Sequence, residues 1–448
     1  MSKTVMRFLL VSGLVLLAFN LRAPVSSIGP VLKEIQQGVN MSTSAAGLLT
    51  GIPCFAFGVL GLVAPQLAKR FGLHATLMWA GILLAGGVAL RSIVATSAVF
   101  LLFSAVALCA IALLNVLLPA FIKTHFPYRI ATMTTLYTVS MGSGSVLGAV
   151  LSAPVARIEW LGWRPAIGIW SIIGCIAVIP MTLLVLERKQ ASKLAYHQQA
   201  EVANKVHQSQ EVNRRDHHLG TQTFVHSSNS PLRNAPLSLW KLRHSPKARA
   251  ITVFFGVQSA HAYVQMGWLA QFFRDQGACP TTAGSYVAMI QLMIIPGGLL
   301  APTIVANVKR PDLVCLGLAL LLVPGYGGLM LAPMSLPWLW VGCLAISNAC
   351  FPIGLLMIGN SGKTAHVTAQ LSAFVQGIGY FISGLGPVLV GALYAWSHSW
   401  TIPLIFLLAC VVPFAWGAYR AGQSGYVEDE ITLRADSHKQ KNHDVKTL

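Results

Sequence analysis

Charge is what this chain has least of. Only 10% of its 448 residues are Asp, Glu, Lys or Arg, where a soluble domain averages about 25%. So thin a polar shell cannot cover a water-soluble core of this size, which excludes a soluble fold. Acidic residues are scarcer still, 13 against 31 basic. None lies well inside an apolar run: Glu34, Glu159, Asp275 and Asp312 sit near run ends or in loops. A cation carrier or a carboxylate proton relay needs a buried carboxylate, so this absence counts against both. The eight cysteines form no CxxC pair, leaving neither a disulfide framework nor a metal site to argue from. No grouped His, Asp, Glu or Cys suggests an enzyme, and no GxxxxGK[ST] run suggests an ATPase, since "GNSGKT" at 359–364 lacks the opening glycine. The expected metal and cofactor complement is none.

What is there is apolar. Hydrophobic residues make up 55% of the chain and the mean hydropathy is +0.65. They come in blocks of roughly 20, the length of a helix that crosses a bilayer. Twelve spans can be drawn, near 8–31, 46–66, 75–92, 97–121, 131–154, 165–186, 250–272, 284–305, 313–332, 336–358, 368–393 and 401–419. The first follows Lys3 and Arg7 and runs on past Arg22, so it reads as a retained helix rather than a signal peptide. One long connection, 187–249, is basic and rich in His and Gln, the composition of an unstructured linker. The expected organisation is a six-helix bundle over 1–186, the linker 187–249, a second six-helix bundle over 250–420, and a tail over 421–448.

The net charge of +18 is a matter of topology and does not point to nucleic acid. Basic residues concentrate in alternate connections: "AKRF" at 68–71, "IKTHFPYR" at 122–129, "VKR" at 308–310, "GKTAH" at 362–366, the linker and the tails. The opposite connections hold Lys33, Arg91, Arg157, Arg164 and Arg274. The positive-inside rule therefore puts both termini in the cytoplasm.

The halves echo each other. "NVLLP" at 115–119 matches "NACFP" at 348–352, and "MTTLYTVSMGSGSVLGAV" at 133–150 aligns without gaps on "QLSAFVQGIGYFISGLGP" at 370–387. Two similar bundles imply a transporter with its site between them, near mid-membrane. Gly142, Gly144, Gly377 and Gly379 fall in small-residue runs that let helices come close. These are expected at contact surfaces that slide or rock.

Arg22 is the one charge inside an expected span. A guanidinium stays ionised, so it must snorkel to the outer interface, cap carbonyls freed near Pro24, or face a wet central cavity and bind an anion. The missing carboxylate favours the third. Asn20, Ser26, Asn115, Tyr137, Asn348, Gln376 and Tyr380 complete a candidate site, with Gln258, His261 and Gln265 at spacings of three, four and seven on the seventh span. Helix-to-helix hydrogen bonding explains such residues equally well. His261 is the only mid-span histidine and hence the candidate for proton coupling.

The turn "PQLAKRFG" at 65–72 resembles the signature between spans two and three of the major facilitator superfamily, matching at Leu67, Ala68, Arg70 and Gly72. Pro65 replaces its first glycine and Lys69 its aspartate, so the usual charge relay of that turn is not carried over. Pro65, Lys69, Arg70 and Gly72 remain the expected gating turn. "GWR" at 162–164 resembles a second element of the superfamily. "NLRAPVSSIGPVL" at 20–32, "YTVSMGSGSVLGA" at 137–149 and "VQMGWLAQFFRDQG" at 264–277 resemble its cyanate and nitroimidazole transporter branch. The resemblance implies an all-α inner-membrane carrier for a small anionic or nitrogen-rich solute, working as a monomer by alternating access. A receptor signalling through the linker, and an efflux carrier for a neutral organic compound, are the alternatives.

Overall fold

In the computed structural model the described residues are 2–158, 161–213, 239–423 and 425–431, and nearly all are helical. Helix α1 (Lys3–Asn20) begins on Ser2, whose hydroxyl accepts the Val5 N–H at 3.3 Å. It breaks at Leu21–Arg22 and resumes as α2 (Ala23–Ser26), a 3-10 turn at Gly29–Val31 and α3 (Leu32–Gly38). Next come α4 (Thr43–Phe71), α5 (Leu73–Ile93), α6 (Ser97–His125), α7 (Ile130–Ala156) and α8 (Trp163–Asn213). After the gap follow α9 (Pro246–Asp275), α10 (Pro280–Leu292), α11 (Ile294–Asn307), α12 (Pro311–Leu320) and α13 (Leu322–Leu331). The last four are α14 (Pro337–Ser347), α15 (Cys350–Asn360), α16 (Ala365–Ser397) and α17 (Thr401–Ala421).

The breaks have one cause. A proline cannot donate to the carbonyl four residues earlier, and α1, α10, α12 and α14 end at or just before that residue: Asn20 before Pro24, Leu292 before Pro296, Leu320 before Pro324, Asn348 before Pro352. Other prolines, such as Pro53, Pro119 and Pro387, lie inside unbroken helices.

Among the described residues, eleven segments are long and apolar enough to cross a membrane, with α1–α3, α10–α11, α12–α13 and α14–α15 each counting once. The chain is an all-α, multi-pass membrane protein. The seventh expected span is α9, 30 residues long, which is not among the eleven. Gln258, His261, Gln265 and Gln271 dilute its apolar run, yet it packs against α16, α17 and α10. Helix α8 also departs from expectation. It runs on to Asn213, well into the stretch expected to be an unstructured linker. Residues 187–213 contain no Gly or Pro and are rich in Ala, Gln, Lys and Glu, all good helix formers. Residues 214–238 of the expected linker and 432–448 of the expected tail lie outside the described residues.

Helices α1 and α8 run antiparallel, with Gly13 against Met181 and the Phe19 and Trp170 rings 6.1 Å apart. Following the hairpins along the chain then puts the start of α1 and the end of α17 on one side, called here the terminal side. There, residues 425–431 strap onto the starts of α9 and α16. The Val427 N–H donates to the Ser361 carbonyl at 3.0 Å, and Lys247 N–H to Glu430 at 3.0 Å. Lys363 pairs with Asp429, whose carboxylate holds the ammonium above its usual range.

On the far side the two parts of the chain meet tightly. Helix α4 packs along α16, and α7 along α10. A Cβ on Gly391 would sit 2.9 Å from the Gly47 Cα, so these two backbones touch with no room for a side chain. Arg274 adds a bidentate bridge to Glu34 at 2.7 and 2.8 Å and donates to the Pro30 carbonyl at 3.2 Å.

Candidate functional site

Beneath the far-side contacts lies a space that extends toward the terminal side, as far as Pro65 and Ala369. Its main chamber, about 1240 Å³, is lined by Arg22, Asn115, Thr134, Tyr137, Gln376 and Tyr380 together with apolar residues of α11 and α15. A second chamber of about 640 Å³ continues from Arg22 and Tyr380 to Gln258, Tyr263, Gln291 and Asn348. A third, about 690 Å³, runs from Asn115 and Tyr380 past Gly377 to Pro65 at the terminal end of α4.

Arg22 sits where α1 stops, at φ −122° and ψ −31°, outside helical geometry. The break turns its side chain into the cavity instead of along the helix toward lipid headgroups. Nη1 donates to the Tyr263 hydroxyl at 3.2 Å, and the guanidinium carbon lies 5.7 Å from the centre of that ring. Among the described residues Arg22 forms no ion pair. The remaining N–H groups of a half-buried cation therefore face the chamber.

The carbonyl-capping reading belongs to a different arginine. Arg91, counted from the sequence as a loop charge, is fully buried at the end of α5, and its Nη2 donates to the Pro24 carbonyl at 2.7 Å. A second arginine is therefore buried at the end of a span. Arg91 fastens the broken segment while Arg22 points into the space beside it. Arg164 of the "GWR" element donates to the Val94 carbonyl at 2.7 Å and so ties down the neighbouring turn.

The other expected residues divide. Tyr137 donates to Asn115 Oδ1 at 2.9 Å, and both line the main chamber. Gln376 donates to Ser372 at 2.7 Å and lines it too. Tyr380 borders all three chambers, its ring 5.1 Å from both Phe57 and Phe255. Gln258 and Asn348 meet at 3.3 Å in the second chamber. Asn20 lines none of these chambers; it is fully buried and donates to the Leu16 carbonyl of its own helix at 3.1 Å. Ser26 is likewise buried, bonded to the Arg22 carbonyl at 2.9 Å and to the Ser145 carbonyl of α7 at 2.8 Å. Gln265 lies behind the wall, accepting from Asn348 at 2.8 Å. His261 does not reach the cavity either: its ring is buried between Tyr326 and Phe414.

The expected gating glycines split as well. Gly142 meets Ile295 of α11 across the two parts of the chain. Gly144 packs on the Phe19 carbonyl and Gly379 on Phe255, each between helices of one part, while Gly377 has open space where a Cβ would stand and its carbonyl lies against Gly58 of α4. In the signature turn, Gly72 takes φ +84° between α4 and α5, Lys69 and Arg70 are exposed, and Pro65 borders the third chamber. Sequence reasoning missed Tyr263, Gln291 and Arg91. Gln291 carried a usable signal, as a lone amide in an apolar run; Tyr263 carried none.

Residues 10–387 match the Major Facilitator Superfamily. The 2-nitroimidazole transporter of Escherichia coli is 29% identical over 402 residues, spanning 89% of this chain and 91% of that one. The cyanate transport protein CynX of the same organism is 26% identical over 400 residues, spanning 89% and 93%. A solved bacterial homolog of the human lysosomal transporter Spinster, inward-facing and unoccupied, has a TM-score of 0.65 at 15% identity, over 97% of this chain and 96% of that one. That likeness bears on the fold alone. A helical membrane chain with a tightly packed far side, a mainly apolar cavity into which Arg22, Asn115, Tyr137 and Gln376 project, and this family match over most of its length belongs to the Major Facilitator Superfamily and is a secondary transporter, not an enzyme.

Proposed function

We propose that the chain carries a small anionic or nitrogen-rich solute, of the cyanate or nitroimidazole kind, bound against Arg22. The transporter works as a monomer in the cytoplasmic membrane. Bundles 1–186 and 250–420 form its two moving parts, with the termini and the open end of the cavity on the cytoplasmic side. One observation carries the substrate class: a guanidinium in a membrane cavity, with a tyrosine for its hydrogen-bond partner and no carboxylate. At about 4 Å and an effective dielectric of about 20, a guanidinium and an anion attract by about 4 kcal/mol. Burial of the site raises the gain on binding an anion and penalises a cation. The rings of Tyr263 and Tyr380 beside Arg22 also suit a flat heterocycle bearing an oxygen-rich group. The names of the two relatives, for cyanate and for 2-nitroimidazole, support the same class.

The test is uptake of labelled cyanate and of 2-nitroimidazole into proteoliposomes, with and without an imposed pH gradient. Arg22→Ala should abolish uptake while the protein inserts normally, and Arg22→Lys should retain part of it. Normal uptake by the alanine variant would reject Arg22 as the binding group. The gradient arm asks whether protons drive the cycle. His261 is separated from the cavity by Tyr326 and Gln265, so the direct coupling role expected of it is not assigned.

A further inference from the structure

One of the amides that line the chambers has no partner among the described residues. Asn115 is bonded to Tyr137, Gln376 to Ser372, and Gln258 and Asn348 to each other. Gln291 lines the second chamber and makes no side-chain hydrogen bond to any of them or to another described residue. It is only 2% exposed. Yet its amide is not sealed in: both ends still reach open space, and the space beside it is the second chamber. An amide withdrawn from bulk water without a partner destabilises a folded chain, and an apolar side chain in this apolar run would avoid the penalty. A buried polar group kept at such a cost calls for a reason.

Its position associates it with Arg22. Gln291 stands in the last turn of α10, beside the stop of that helix before Pro296, much as Arg22 follows the stop of α1 before Pro24. The two residues come from different parts of the chain and border the same space of about 640 Å³. The rest of that lining is mostly apolar, with Met141, Met266, Ile294 and Phe351, a surface suited to the faces of a ring. Their chemistries are complementary. A guanidinium only donates, so Arg22 can meet the oxygens of cyanate or of a nitro group but not an N–H. An amide accepts at one end and donates at the other, and with no partner to hold it Gln291 can turn either end to a solute. Cyanate carries acceptors alone, whereas the ring of 2-nitroimidazole carries an N–H beside its nitro group.

We propose that Gln291 is a specificity-determining residue: its Oε1 accepts the ring N–H of a nitrogen heterocycle while Arg22 holds the oxygen-rich group. This deepens the reading above and rests on it for the solute class. The second chamber is then the seat of the heterocycle, and a small anion needs Arg22 alone. The partner that the amide lacks in the empty protein is supplied by a solute that bears a donor, so the penalty of the bare amide is relieved on binding that solute and not on binding cyanate.

The test compares uptake of 2-nitroimidazole and of 1-methyl-2-nitroimidazole, in which a methyl group replaces the N–H proton, by the parent and by Gln291→Leu in proteoliposomes. In the parent the methylated solute should have a KM about tenfold higher, the scale of one lost hydrogen bond. In Gln291→Leu the KM for 2-nitroimidazole should rise about tenfold, while those for the methylated solute and for cyanate stay within about twofold. The preference between the two heterocycles should vanish. A steric objection to the methyl group would survive the substitution, so a preference that persists in Gln291→Leu rejects the proposal. A parent that takes both heterocycles equally rejects it as well and makes Gln291 a hydrated amide only. Unchanged cyanate uptake shows that the variant is folded; should Gln291→Leu fail to insert, Gln291→Met, closer to glutamine in length, carries the same comparison. Cyanate uptake that needs Arg22, with neither heterocycle transported, would reject the role of Gln291 and keep the reading at Arg22. A preference that collapses in Gln291→Leu while Arg22→Ala transports normally would do the reverse.

Discussion

The two walls of the cavity place polar groups in a membrane by different means. On the wall from the first part of the chain, a proline-broken helix holds Arg22 at its end, and Asn115 and Tyr137 satisfy each other nearby. On the opposite wall α9 is unbroken, and its amides close on one another through Asn348 and Tyr326. The first arrangement leaves a cation with donors to spare. The second leaves few groups free but fixes their direction. Net charge supplies affinity at a distance, whereas an amide network supplies orientation at contact.

Variants on each wall should break that contrast in graded steps. Arg22→Ala should have the largest effect, a loss of uptake of more than about 100-fold, since about 4 kcal/mol of attraction disappears; initial rates in proteoliposomes measure it. Arg91→Leu comes next. It removes the charged donor from the Pro24 carbonyl and leaves only the Ser27 hydroxyl, at 3.1 Å, a loss of about 1.5–3 kcal/mol, and should let the broken segment drift, raising KM about tenfold. A Glu34→Gln variant loosens the far-side bridge. That pair is partly exposed, at 12% and 31%, so about 1 kcal/mol or less is at stake. Labelling of Thr50→Cys from the far side should speed up about fivefold at most above the background of the natural cysteines. Tyr137→Phe should raise KM by about threefold through the freed Asn115 amide. The smallest effect is expected from Asn20→Ala, with KM within about twofold of the parent, because Asn20 bonds within its own helix. A large KM change there would erase the distinction between cavity residues and packing residues.

Much of the fold was legible because a bilayer fixes the length of an apolar run. Arg22 stood out for the same reason, as a charge inside such a run. Closeness in sequence to Arg22 was a poorer guide. Asn20 and Ser26 flank the break that turns Arg22 into the cavity, and each bonds into packed helix instead. Arg91 was read as a loop charge because it lies at a block end, and only the packing of α5 on the α1–α2 break buries it. Tyr263 depends on how two segments 241 residues apart dock, which no local pattern records. The glycines misled in a similar way. Gly377 has open space where a side chain would stand and meets Gly58 of α4 only through its carbonyl, while Gly47 and Gly391, in equally plain surroundings, touch backbone to backbone. Periodicity shows that a face is small; it does not say which neighbour meets it.

The acidic strap at 425–431 has a practical use. It is fastened to the starts of α9 and α16 through Ser361, Lys363 and Glu430, so whatever is attached just after it rides with those two helices. The fully exposed Tyr128, in the turn between α6 and α7, rides with that hairpin. A dye at each place would turn the transporter into its own ruler, with energy transfer between them rising and falling as the cavity changes sides.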